Sequence, residues 1–186
     1  MIRQSKECEN YSIFAIGYNN GTVSISYEIR PIDAPSEQCI VNRSDKPHKD
    51  FIVLWQQLVQ IAKRFLEFPL LNAAGEPLQI QIVKVKYIDS NKYGEGYQLT
   101  VNLWNLCYAN LPLRLTTHKF YQKGVDVKTG YDGEYLTQMI EPTEKALFDK
   151  LAKEAFAYAY YGKREQPTLD EAMAAEQNDG KFKDEM

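Results

Sequence analysis

Two apolar runs hinged on Asn19-Asn20-Gly21 constrain this chain more than any other feature. Residues 11–18 (YSIFAIGY) are apolar and β-prone. After Gly21, Val23, Ile25, Tyr27 and Ile29 alternate with Ser24, Ser26, Glu28 and Arg30. Asn and Gly tolerate the positive φ that a tight hairpin turn demands, so the two runs predict an antiparallel pair. The strict period of two puts one face of the second strand on a core and the other in water. Pro31 and Pro35 end the pattern, and residues 38–42 read as a short third strand with Ile40 near its centre.

The period then changes from two to 3.6. Phe51, Leu54, Trp55, Leu58, Ile61, Ala62 and Phe65 recur at steps of three and four, which predicts a helix over 50–68. Asp45 is the expected N-cap, Pro47 fits the first turn and Pro69 stops the helix. The opposite face, with Gln56, Gln57, Gln60, Lys63 and Arg64, reads as solvated.

A second β region follows. Leu78, Ile80 and Ile82 share one parity, whereas Val83, Val85 and Tyr87 take the other; this slip predicts a β-bulge or a doubly buried stretch. Tyr97, Leu99, Val101 and Leu103 mark the next strand, which slips to Trp104 and Leu106; Leu111, Leu113 and Leu115 mark a third. Residues 121–136 lack a period and read as a long loop with room for a short hairpin. From 143 to 161, Leu147, Phe148, Leu151, Ala155 and Tyr158 predict a helix capped by Thr143 and stopped by Gly162. The tail, 163–186, has four bases against seven acids and is expected to be disordered.

The order is β-β-(β)-α-β-β-β-α. It predicts an α+β fold: an antiparallel sheet of about five to six strands with two helices on one face, in a single domain over 1–162. Two βββα halves, 11–68 and 78–161, are a natural division, though no residue-level repeat supports duplication. With both helices on one side, the other side of the sheet is left open to water or a partner.

Several chemistries lack their signatures. Neither His48 nor His118 sits in a metal-binding spacing, and there is no C-x-x-C, P-loop, G-x-G-x-x-G or G-x-S-x-G pattern. Cys8, Cys39 and Cys107 are odd in number and unpaired in spacing, which fits free thiols of a reducing, cytoplasmic compartment. No apolar run reaches the roughly 18–20 residues of a membrane span, and the polar start shows no signal peptide. The expectation is a protein without enzyme activity, cofactor, metal or membrane.

Charge distribution supplies the positive signal. Between residues 79 and 128 there are seven bases against three acids, in a chain of net charge −3. Lys84 and Lys86 share one strand face, and Thr100 and Asn102, then Arg114, Thr116 and His118, alternate the same way on the next two strands. Antiparallel pairing would gather them into one polar, positive face, suited to phosphates or kept merely soluble by its lysines. In the first reading Lys84, Lys86, Arg114 and Lys119 contact phosphates, and Tyr87 or Tyr97 stacks on bases. Two similar segments, Tyr93-Gly94-Glu95-Gly96-Tyr97 and Tyr131-Asp132-Gly133-Glu134-Tyr135, read as glycine turns beside packed tyrosines or as a binding rim.

The layout also resembles small proteins of unassigned function encoded by bacterial viruses and prophages. The hairpin of Tyr11 to Ile29, the D-F-x-x-L-W-x-x-L helix from Asp50 to Leu58 and the strand from Ile80 to Val85 carry the similarity. So do the L-x-L-T-T-H segment from Leu113 to His118 and the E-K-A-L-F-x-K-L helix from Glu144 to Leu151. Such proteins are often associated with DNA replication or recombination, which the resemblance implies for this chain without assigning catalytic residues. It also implies a bacterial host cell. Gln166 to Asp170 is similar to a tail motif that binds the sliding clamp, but it departs at Pro167 and Asp170, and a chance match is the plainer reading.

Three function classes stay open. The first is a nucleic-acid or nucleotide binder acting through the basic sheet face. The second is an anti-defence inhibitor that binds a host effector protein or sequesters a nucleotide signal; the acidic net charge suits mimicry of nucleic acid. The third is an enzyme with a non-local site. Exposed strand edges also make a homodimer an expectation.

Overall fold

Asn20 (φ 49°) and Gly21 (φ 79°) both take the left-handed conformation, which closes a tight hairpin between β1 (Tyr11–Asn19) and β2 (Thr22–Ile29). In the computed structural model, residues 11–30, 35–66, 68–106, 111–123, 126–129, 134–137 and 139–163 are described. The expected tail after Lys163 with its clamp-like motif, Cys8, Cys107 and Tyr131 to Gly133 lie outside them.

β3 (Glu37–Arg43) extends the hairpin into a meander. The chain then passes through α1 (Lys49–Phe65) to β4 (Gln79–Ser90), β5 (Gly94–Trp104), β6 (Leu113–Thr116) and β7 (Phe120–Tyr121). The main sheet is antiparallel throughout its named pairs, in the order β3-β2-β1-β4-β5-β6; β7 follows β6 along the same edge of β5. β1 and β4, the first strands of the expected halves 11–68 and 78–161, pair at the centre of the sheet, but the second half holds six strands rather than three. β8 (Asp126–Thr129) and β9 (Glu134–Thr137) form a separate hairpin within the expected loop, and α2 (Pro142–Phe156) closes the second half. The α+β class and the two helices stand as expected, with seven strands in the main sheet rather than five or six.

Both helices cover one face. α1 buries Phe51, Trp55, Leu58, Ile61, Ala62 and Phe65, the stripe that its 3.6 period predicts. α2 buries Phe148, Leu151, Ala155 and Phe156. Beneath them lie Ile16, Val23, Ile25, Val85, Leu99, Val101 and Leu103, all essentially inaccessible. Each large side chain fully buried here contributes about 1.5–3 kcal/mol.

Aromatic rings order this core. Phe148 stacks on Tyr97 at 4.0 Å, Phe65 on Phe120 at 4.0 Å, and Tyr11 on Phe156 at 3.8 Å between ring centroids.

The helix ends differ from expectation. His48, not Asp45, caps α1, because its Nδ1 lies where the Asp50 N–H can donate to it (3.3 Å). At α2 Glu141 takes the cap position in place of Thr143, with a reciprocal capping box to Glu144. Arg64 of α1 ties this box down, donating to Glu141, to Glu144 and to the Met139 carbonyl, so one guanidinium joins the two helices. α2 runs into a single π-helical turn, Ala157–Tyr161, which stops at Gly162 (φ 71°).

The slip at Ile82-Val83 is a bulge: the β4–β5 register shifts between Ile82 and Lys84. A second register shift interrupts β1 between Ile13 and Ala15, leaving Phe14 exposed on the side away from the core.

Candidate nucleic-acid interface

The side chains on the uncovered face fall into cross-strand rows set by the register. One row runs Asn42, Ser24, Gly17, Lys84, Thr100, Thr116 from β3 to β6. The next runs Ile40, Ser26, Ala15, Lys86, Gln98, and a third joins Gln81, Asn102 and Arg114. Lys84 and Lys86 therefore stand at consecutive outward positions of a central strand, among hydroxyl and amide groups. Gly17 pairs with Lys84, and a β-carbon there would lie 2.4 Å from the Ser24 hydroxyl.

The polar groups of this face bond to one another across strands. The Thr100 and Thr116 hydroxyls are 3.4 Å apart, and Arg114 Nε donates to Asn102 Oδ1 at 3.1 Å. Trp104 Nε1 donates to Gln81 Oε1 at 3.2 Å. Lys84, Lys86 and Arg114 are exposed, and among the described residues none faces a carboxylate within ion-pair distance. Among the described strand residues Glu28 is the acid on this face, and its carboxyl is held below the usual range by the Arg30 guanidinium hydrogen-bonded to it.

The helix side handles charge differently. Lys145 bridges Glu95 and Asp149 at 2.8 Å each, and these hydrogen bonds raise the pKa of its ammonium. Lys163 binds Glu154 at 2.7 Å and Asp50 at 3.4 Å. With His48 these two carboxylates form a cluster whose potential ligand atoms lie within 4.8 Å of one another. The Lys163 ammonium already supplies its positive charge, so the cluster reads as a clamp between the start of α1 and the end of α2.

Four of the six expected contact residues are exposed: Lys84, Lys86, Arg114 and Lys119. The first three share the open face, whereas Lys119 lies in the connection between β6 and β7. The two tyrosines expected to stack on bases lie on the opposite, helix-covered side. Tyr97 is 2% exposed and stacked on Phe148, and Tyr87 donates its hydroxyl to the Phe148 carbonyl at 3.0 Å. Their parity puts both beneath α2, where burial raises both phenol pKa values, so neither ring can stack on a base. His118 is exposed near the β6–β7 turn, and Ile40, expected at a strand centre, is 76% exposed on the open face.

Besides the exposed Phe14, the open face carries the half-buried indole of Trp104, the last residue of β5. Its outward parity with Asn102 is the sequence signal that could have found it. It borders a cleft of about 530 Å³ where the β1–β2 turn leaves β4, lined also by Trp55, Gln56, Gln79 and Gln81. A second hollow of about 500 Å³, lined by Ser24, Thr22 and Lys84, shares Tyr18, Asn19 and Asn20 with it as a wall.

In comparisons with known proteins, no family model, no curated protein and no solved structure matches this chain. Among the described residues, no helix is long and apolar enough to cross a membrane.

Proposed function

We propose that this protein binds nucleic acid through the open face of its sheet, without catalysis. The observation that carries the reading is the place of Lys84 and Lys86: both stand exposed at the centre of the open face, in rows with hydroxyl and amide groups and with no ion pair among the described residues. Unpaired ammonium groups beside hydroxyl and amide donors match a phosphate backbone: the cations displace its counterions, and Ser24, Thr100, Thr116 and Gln98 supply hydrogen bonds. Arg114 adds a guanidinium one row away.

The test is fluorescence anisotropy of a labelled oligonucleotide over a range of salt concentrations. Three cations on a single strand predict that log K falls with log salt with a slope of about −2. Binding that ignores salt contradicts the proposal.

A protein partner is the second reading, favoured by one observation. Ile40 is 76% exposed at the middle of the edge strand β3, where pairing with another chain would cover it. Ile40→Lys would abolish such a complex in a pull-down and leave oligonucleotide binding intact.

A further inference from the structure

β1 and β4 pair over only three residues, from Ala15↔Lys86 to Gly17↔Lys84. Beyond Gly17 the β1–β2 turn departs, and β4 from Gln79 to Ile82 keeps β5 as its one strand neighbour. The cleft of about 530 Å³ is the gap left by this split. Its size falls within the range of small-ligand sites.

Among the described residues, the backbone edge of β4 along this split is only partly satisfied. Ile82 offers its carbonyl to Trp55 Nε1 at 3.3 Å, and Leu78 donates its N–H to the Leu70 carbonyl at 2.8 Å. Backbone groups of a strand alternate in direction, so Ile80, midway between them, also turns its N–H and C=O away from β5. Those groups face the cleft as an adjacent donor and acceptor. Gln56 and Gln79 line the same space, make no side-chain hydrogen bond among the described residues, and add amides. No lining residue bears a formal charge.

A neutral slot with indole walls, amide groups and a backbone donor–acceptor pair fits a planar heterocycle with hydrogen-bonding edges. The hollow that shares its Tyr18-Asn19-Asn20 wall holds Lys84, suited to the phosphate attached to such a ring. We infer that the cleft between the β1–β2 turn and β4 takes an unpaired nucleobase of a strand lying on the open face. The ligand is then single-stranded. This inference rests on the sheet-face reading and adds to it a preference that lysines alone cannot supply, since a phosphate contact carries no information about pairing.

The protein has two tryptophans, and both line the cleft, so their fluorescence reports on its occupancy. The experiment titrates the full chain with a 12-nucleotide single-stranded DNA, its duplex and an abasic strand of equal length, following anisotropy and tryptophan emission together. The expected result is quenching by the single strand alone, with affinity at least about fivefold above the duplex and the abasic strand, as one stacked base would contribute. Trp104→Leu should remove that preference and keep the salt slope. Equal, salt-dependent binding of all three probes without quenching overturns the cleft inference and leaves the sheet-face reading standing. If none of the probes binds, both fall. The abasic probe needs no variant, so the result does not depend on Trp104→Leu folding.

Discussion

The two faces of one sheet are made by the same strands, yet they use their polar groups in opposite ways. Beneath and between the helices polar groups have internal partners: Tyr87 bonds to Phe148, Trp55 to Ile82, Tyr158 to Asp45, and Lys145 and Lys163 to carboxylates, while Lys63, Lys150 and Lys153 are exposed on the helices. On the open side the short groups bond across strands, while the ammonium groups of Lys84 and Lys86 point outward without a described partner. A face that has used its polar groups is structural; a face that keeps charge unspent is free to bind. Stability should therefore follow the first face and ligand affinity the second.

Phe148→Ala tests the helix side with the largest expected effect. Phe148 is fully buried against Tyr97, Tyr87 and Phe120, so its loss should cost about 3–5 kcal/mol in denaturant unfolding. Gly96→Ala probes the contact of β5 with β7, where Gly96 pairs with Tyr121. A β-carbon there would meet the Tyr121 ring at 2.3 Å, and shifting that ring should cost about 1–3 kcal/mol.

The phenols of the helix side set a pH limit. Burial pushes the Tyr27 hydroxyl up to about 12 from an ordinary 10.0, and raises Tyr87 and Tyr97 in the same direction. Below about pH 10 both folded and unfolded chains keep these protons, so stability is indifferent to them. Between 10 and 12 the unfolded chain ionises Tyr27 first, and stability falls with rising pH. Thermal unfolding across this range checks the slope; a flat profile would contradict it. Tyr87→Phe removes one hydrogen bond and should cost about 1 kcal/mol. Lys84→Ala, at the open face, should stay within about 0.5 kcal/mol of the parent in stability.

Much of this architecture is legible in the sequence alone. The hairpin, the alternation of β2, both helical stripes and the slip at Ile82-Val83 are local patterns, and each appears where its period placed it. The shared face of Lys84, Lys86, Thr100, Asn102 and Arg114 was legible too, because parity and antiparallel order suffice for it. Parity also separates Tyr87 and Tyr97 from the lysines, on the side of Val85 and Leu99, so the expectation that they stack on a ligand conflicts with it, and α2 lies over them. The cap of α1 was misread because Asp45 is the stronger capping type, yet the chain turns into the helix three residues later, at His48. The cleft was hidden for another reason. It depends on where β1 stops pairing with β4, a contact between residues almost seventy apart, and Trp104 joins it only through that split.

The most direct test sets the native chain against the Lys84→Glu/Lys86→Glu variant, with a labelled single-stranded oligonucleotide at low and at physiological salt. Thermal unfolding of both confirms that the variant is folded. The account predicts tight, salt-sensitive binding by the native chain, and a loss of at least about tenfold in the variant at low salt. A folded variant that binds as the native chain does, with the same salt slope, would contradict it.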